Sequence, residues 1–187
     1  HREALTAASF GHASLETLLD GRFIPRSLLA AYESVARDLL KRLDALFAAH
    51  PAQAIRLHGD CHPGNLLCRD ESFHIVDLDD CRMGPAVQDL WMMLAGSREE
   101  RLGQLAELIE GYQEFHDFDS RELPLIEGLR SLRRMHYSAW LAHRWDDPAF
   151  PQSFPWFGSE RYWGEQILTL REQLAARYGA RAAFVLS

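Results

Sequence analysis

The sequence predicts a mainly α fold of the α+β kind, a helical lobe with a small β-hairpin set into it. Three observations carry this. Apolar residues recur at three-or-four spacing over four long stretches. Short β-compatible runs, "AIRLHG", "NLLC" and "FHIVDLD", are confined to residues 54–79. No internal repeat or low-complexity linker divides the 187 residues, a length that suits one domain or one large lobe.

The elements follow in chain order. Tyr32, Val35, Ala36, Leu39, Leu43, Leu46 and Phe47 share one helical face; Pro25 and Ser27 lie near its start, and Pro51 stops it. The β-compatible runs come next, with "RDES" as the hairpin turn. Leu102, Leu105, Leu108, Ile109, Tyr112 and Phe115 mark a second helix. A third runs from about Ile126 through Leu129, Leu132, His136 and Trp140, and a fourth carries Tyr162, Trp163, Ile167, Leu170 and Leu174.

Composition narrows the function. With 47% hydrophobic residues the chain can hold a sizeable core, since a chain of this length buries roughly 70% of its unfolded surface. Twenty basic against 27 acidic residues give a net charge of -7, which argues against a nucleic-acid binder. Cys61, Cys68 and Cys81 are odd in number and include no C-x-x-C pair. Neither a disulfide framework nor a cysteine zinc site is expected, and a reducing cytoplasm fits. No apolar run approaches membrane-spanning length, and the first ten residues lack a signal-peptide core. The first residue is not methionine, so the chain is expected to begin inside a longer protein.

The chemistry concentrates in "HGDCHPGNLL", His58 to Leu67, and in "HIVDLDDCRMGP" shortly after it. Asp60 and Asn65 are five apart on the first loop, and the hairpin returns Asp77 beside Asn65. Two oxygen ligands on neighbouring strand ends suit Mg²⁺, which takes one or two carboxylates plus phosphates and waters. Asp60 is then free to accept the proton of a hydroxyl attacking a phosphoryl group. Gly59 and Gly64 allow close backbone approach, and Pro63 stiffens the turn. Each of these residues alone could be a turn or cap residue; the spacing of all three favours a site. Asp79 and Asp80 read as capping or solvated residues, and "WDDPAFPQSFPWF" reads as a packed loop closing the lobe rather than a substrate-facing wall.

"HGDCHPGN" resembles the catalytic loop of the aminoglycoside and choline phosphotransferase family, whose fold is that of the protein kinases. "VDLDD" is similar to the kinase D-F-G segment with Phe and Gly replaced, and "GPAVQDLWMML" to the helix that follows. The longer words "RLHGDCHPGNLL", "VDLDDCRMGPAVQDLWMML" and "AWLAHRWDDPAFPQSFPWF" resemble a bacterial member that acts on protein serine or threonine. The first fifty residues match only loosely. The resemblance implies a protein-kinase-like C-terminal lobe from an enzyme using ATP and Mg²⁺. Asp60 would be the proton acceptor, and Asn65 and Asp77 would hold Mg²⁺. Asp89 would brace the loop through its backbone amides, His58 would support it from beneath, and His62 would contact phosphate or pack the loop. His62 stands where protein kinases usually carry lysine.

A kinase also needs a Gly-rich loop and a strand lysine for the ATP phosphates. No G-x-G-x-x-G occurs, and the single lysine, Lys41, lies mid-helix. Residues 1–187 are therefore expected to form one C-lobe whose N-terminal, ATP-clamping lobe lies outside the chain. Alone, such a lobe should be inactive, with a partly apolar surface open to self-association. The expected acceptor is protein Ser/Thr, with a small-molecule alcohol of the aminoglycoside or choline kind as the alternative. Two other classes stand beside it. One is a non-enzymatic binding lobe. The other is a metal-dependent hydrolase, suggested by the H-x-D-x-H pattern of His58, Asp60 and His62.

Overall fold

The computed structural model describes residues 4–70 and 72–175. The described residues pack as two compact units, one formed by 6–49 and 127–175, the other by 4–5 and 50–126.

The first unit is helical. A π-type turn (Ala7–His12) opens with a capping box in which Thr6 and Ser9 satisfy each other's backbone amides. It runs into α1 (Ala13–Asp20) and, after a short link, α2 (Arg26–Ala49). α2 begins just after Pro25, as its sequence predicts, and buries Tyr32, Val35, Ala36, Leu39, Leu40, Leu43 and Leu46. Its core partners come from α5 (Ile126–His143) and from α7 (Glu160–Ala175), which packs along α2. Leu129, Leu132 and Met135 of α5 and Trp163 of α7 are almost wholly buried, each removal from water contributing about 1.5–3 kcal/mol. Tyr32 meets Trp163 edge-on at 5.1 Å between ring centroids. Gly11 and Gly128 sit where a Cβ would collide with Leu40 and Leu46 respectively, so small residues set the approach of these helices.

Between α5 and α7, α6 (Ala149–Ser153) belongs to the aromatic loop. Phe157 is fully buried and stands 5.0 Å from Trp145, 5.3 Å from Phe23 and 5.5 Å from Trp163. This stretch is a packed aromatic plug.

The second unit carries the short strands. β1 (Ile55–Leu57) pairs antiparallel with β4 (Arg82–Gly84), in the register Ile55↔Gly84 and Leu57↔Arg82. β2 (Leu66–Arg69) and β3 (Ser72–Ile75) form the hairpin, with Leu66 opposite Ile75 and Arg69 opposite Ser72. Asp70, at φ 50°, begins the expected turn, while Glu71 lies outside the described residues. Then come α3 (Val87–Trp91) and α4 (Arg98–Gln113), the latter opened by a Ser97–Glu100 capping box. A 3₁₀ segment (Ser120–Leu125) ends the unit. Leu57, Val87, Leu105, Leu123 and Leu125 form its small core.

Three local expectations are revised. β4 was not foreseen, because "RMG" between Cys81 and Pro85 is too short to show alternation. The π-type turn and α1 precede the first expected helix. The helix marked by Leu102 starts at Arg98 and stops at Gln113, leaving Phe115 beyond it and 90% exposed.

Candidate active site

β1 ends at Leu57, and the chain must leave it sharply. Gly59 makes that turn at φ +86°, in the left-handed region open to glycine. A Cβ there would fall on the Asp80 carbonyl oxygen, so the loop passes directly against the segment leading to β4. Arg82 holds that segment, its Nε donating to the Asp80 carbonyl oxygen and its guanidinium pairing with the Asp80 carboxylate, each at 2.8 Å.

The loop is fixed from two sides. Asp89, on α3, accepts from the His58 amide through Oδ2 at 2.7 Å and from the Gly59 amide through Oδ1 at 3.0 Å. On the other side, His58 Nε2 lies 2.9 Å from the Val76 carbonyl oxygen, and Nδ1 accepts from the Asp60 amide at 3.3 Å. The second bond requires a bare Nδ1, which places the ring proton on Nε2, where it is donated to Val76. His58 thus joins the loop to Val76, which links β3 to Asp77.

Asn65 Nδ2 donates to the Asp60 carbonyl oxygen at 3.0 Å, which leaves Oδ1 as the acceptor end of the amide. The Val76 amide donates to the Asn65 carbonyl oxygen at 3.0 Å. Asn65 and Asp77 therefore lie at the same end of the hairpin, and Asp77 takes a left-handed conformation at φ 61°. The side chain of His62 accepts from the Gly64 amide, capping the turn Pro63–Asn65, and its Nε2 stands 3.7 Å from Asp60 Oδ2. Asp60, Asn65, Asp77, His58, His62 and Asp89 are thus gathered around one loop and one hairpin end.

Electrostatics follow burial. Burial pushes the Asp89 carboxyl above the usual carboxylate range, and its two amide bonds pull the other way. The Cys61 thiol, beside the loop, is pushed up to about 11 by burial and then by the nearby Asp89 and Asp60 carboxylates. Among the described residues no three of His, Cys, Asp and Glu converge into a metal cage. At the hairpin end Asn65 offers an amide oxygen and Asp77 a carboxylate, oxygen donors of the kind a hard divalent cation takes.

The residues around this core that sequence reasoning missed are Glu122 and Arg82. Arg82 carries no spacing signal. Glu122 accepts from the Val87 amide at 2.9 Å across 35 positions of sequence, and no local pattern announces such a partnership.

Comparison with known proteins bears on the family and the fold. The chain is 50% identical over 160 residues to Stress response kinase A of Escherichia coli strain K12, a match covering 82% of this chain and 46% of that protein. It is 47% identical over 154 residues to Serine/threonine protein kinase RdoA of Salmonella typhimurium, with the same coverage. The chain spans about half the length of the relatives it matches. Among solved structures, a choline/ethanolamine kinase family protein from Mesorhizobium loti aligns with a TM-score of 0.64 at 17% identity, over 98% of this chain and 59% of that one. The amicoumacin kinase hAmiN, solved with AMP-PNP and Ca²⁺, aligns at 0.56 and 16% identity, over 92% and 50%. These likenesses show the kinase-like fold, and the phosphotransferase enzyme family matches residues 6–126 directly. The chain belongs to the phosphotransferase enzyme family.

Proposed function

We propose that this chain is the C-terminal catalytic lobe of a cytoplasmic, ATP- and Mg²⁺-dependent kinase that transfers the γ-phosphoryl group to a hydroxyl, first of all protein serine or threonine. The observation that carries the reading is the loop from His58 to Asn65, held by Asp89 on one side and joined to Val76, the residue before Asp77, on the other. Phosphoryl transfer depends almost wholly on positioning and charge, and this arrangement is positional.

Each residue then has a task. Asp60 accepts the proton of the attacking hydroxyl, its backbone fixed by bonds from Asn65 and to His58. Asn65 Oδ1 and Asp77 are the oxygens that would hold Mg²⁺, which supplies charge neutralisation on the phosphates when bound. Asp89 and His58 keep the loop in register. His62, 3.7 Å from Asp60, stands where it can meet a phosphate oxygen. The ATP-clamping lobe comes from the rest of the protein. Phe73 and Ile75, exposed on one face of the hairpin, support the reading that further chain covers this face. No described helix is long and apolar enough to cross a membrane.

A small-molecule alcohol is the second reading, favoured by histidine rather than lysine at position 62. Radiolabelled ATP offered to the full-length protein with a generic basic protein, an aminoglycoside and choline separates the two. Label on serine or threonine, on itself or on the basic protein, is the expected result. Label on the aminoglycoside or choline alone reverses the choice of acceptor, and no transfer to any of them refutes the kinase reading.

A further inference from the structure

Glu122 is 4% exposed, yet among the described residues its carboxylate is met by backbone N–H rather than by a cation. It accepts from the Val87 amide, the first of α3, at 2.9 Å, and the amide of the N-cap residue Ala86 also favours its charged form. α3 has no side-chain cap of its own at Ala86. Its five residues are too few to hold a helix by internal bonding, so its placement depends on what anchors it. Two residues beyond Val87, Asp89 repeats the arrangement outward, one carboxylate spanning the consecutive amides of His58 and Gly59. The two carboxylates thus bracket α3, Glu122 gripping its start and Asp89 gripping the loop that carries Asp60.

A buried carboxylate is a costly way to anchor a helix. Burial pushes the Glu122 carboxyl up, Asp119 adds to this, and only the two amide bonds oppose it. Val87 is already fully buried and could anchor α3 by packing alone. Packing, however, leaves a short helix able to slide or rotate, whereas two amides on one carboxylate fix its rotation. Rotation of α3 decides whether Asp89 reaches both loop amides.

We propose that Glu122 is a positioning residue of the phosphoryl-transfer site, acting through α3 and Asp89 on the loop that presents Asp60. This rests on the kinase reading above. Glu122→Gln nearly preserves shape while removing one acceptor, and Glu122→Ala removes both; Gln serves if Ala fails to fold. Two measurements decide the matter. In the 187-residue chain, hydrogen exchange at the His58 and Gly59 amides should quicken about tenfold in Glu122→Gln, while the β2–β3 amides stay unchanged. In the full-length protein, well below the melting temperature, kcat should fall about tenfold to a hundredfold with KM for ATP held. In an Asp89→Asn background the same substitution should cost less than about twofold, since its route is already cut. A purely structural Glu122 predicts lower melting temperature, unchanged kcat per folded molecule and additive effects, and any of the last two overturns the proposal. Wild-type protein that transfers no phosphate brings down the kinase reading. Wild-type that transfers while Glu122→Gln keeps full kcat brings down this one.

Discussion

Asn65 reaches back across five residues to Asp60, its side-chain Nδ2 donating to the Asp60 carbonyl oxygen at 3.0 Å. The same carbonyl accepts from the His62 amide at 2.9 Å. One acceptor therefore pins the residue proposed to take the proton and closes the turn that follows. Asn65 is buried to 9% exposure, so the bond is shielded from competing water.

This sets an order for substitutions at Asn65. Asn65→Ala removes one hydrogen bond but leaves the carbonyl its His62 partner, and should cost about 1 kcal/mol. Asn65→Asp replaces the donor by a carboxylate facing a carbonyl oxygen and should cost about 1–3 kcal/mol beyond that. Thermal or denaturant unfolding of the 187-residue chain reads both. Asn65→Asp as stable as Asn65→Ala would show that the amide is not the donor.

Asp60→Asn addresses the chemistry rather than the fold. The substitution keeps the backbone bonds of Asp60 to Asn65, His62 and His58, since none uses the carboxylate. Stability should change little. Phosphoryl transfer by the full-length protein should fall by about 10²–10⁴. Wild-type turnover by this variant would remove Asp60 from its role.

The limits of legibility run along sequence distance. Asp60, Asn65 and Asp77 could be grouped from the sequence because a loop and a tight hairpin leave few ways to arrange them. His58 and Asp89 were nameable only through resemblance, because the bonds from Asp89 to the loop join positions 30 and 31 apart with no periodic signal. Glu122 was invisible for the same reason, its partner Val87 lying 35 positions away, whereas Arg82 meets its near neighbour Asp80 through a contact that no sequence pattern marks. The long helices were legible because a wide apolar stripe repeats along α2, α5 and α7, whereas β4 offers only three residues. The buried amides of α3 and the loop demand acceptors, but the sequence does not say which distant carboxylate supplies them.

The cysteines give a chemical test of loop burial. Cys61 is part-buried with its thiol pushed up to about 11, and Cys68 is exposed on β2. A raised thiol is lost to the thiolate only as pH rises toward that value, so Cys61 at pH 8 holds on the order of one thiolate per thousand molecules. Alkylation at pH 8, followed by peptide mass spectrometry, should label Cys68 well before Cys61. Cys61 should gain reactivity steeply between pH 9 and 11 (roughly tenfold per pH step until the thiol titrates). Equal labelling of both at pH 8 would contradict the buried placement of Cys61 against Asp89 and Asp60.

The last prediction contrasts two glycines. Gly59 adopts φ +86°, and an added Cβ would lie on the Asp80 carbonyl oxygen, 3.0 Å from its carbon and 3.3 Å from Arg82 Nε. Gly59→Ala must therefore bear the left-handed penalty of about 1–2 kcal/mol and also push apart two backbones. The Asp80 carbonyl is itself held by Arg82, so relief by moving that oxygen breaks the Arg82 bond. The total should exceed about 3 kcal/mol, and the displaced loop should lose the Asp89 bonds at His58 and Gly59. Gly103, inside α4, has open space where a Cβ would go. Gly103→Ala should instead stabilise by about 0.5–1 kcal/mol, because alanine loses less backbone freedom in a helix. Denaturant unfolding of the two variants side by side reads the sign directly. Gly59→Ala with near wild-type stability would mean that the loop does not pass against Asp80, and the bracing of Asp60 by Asp89 would have to be redrawn.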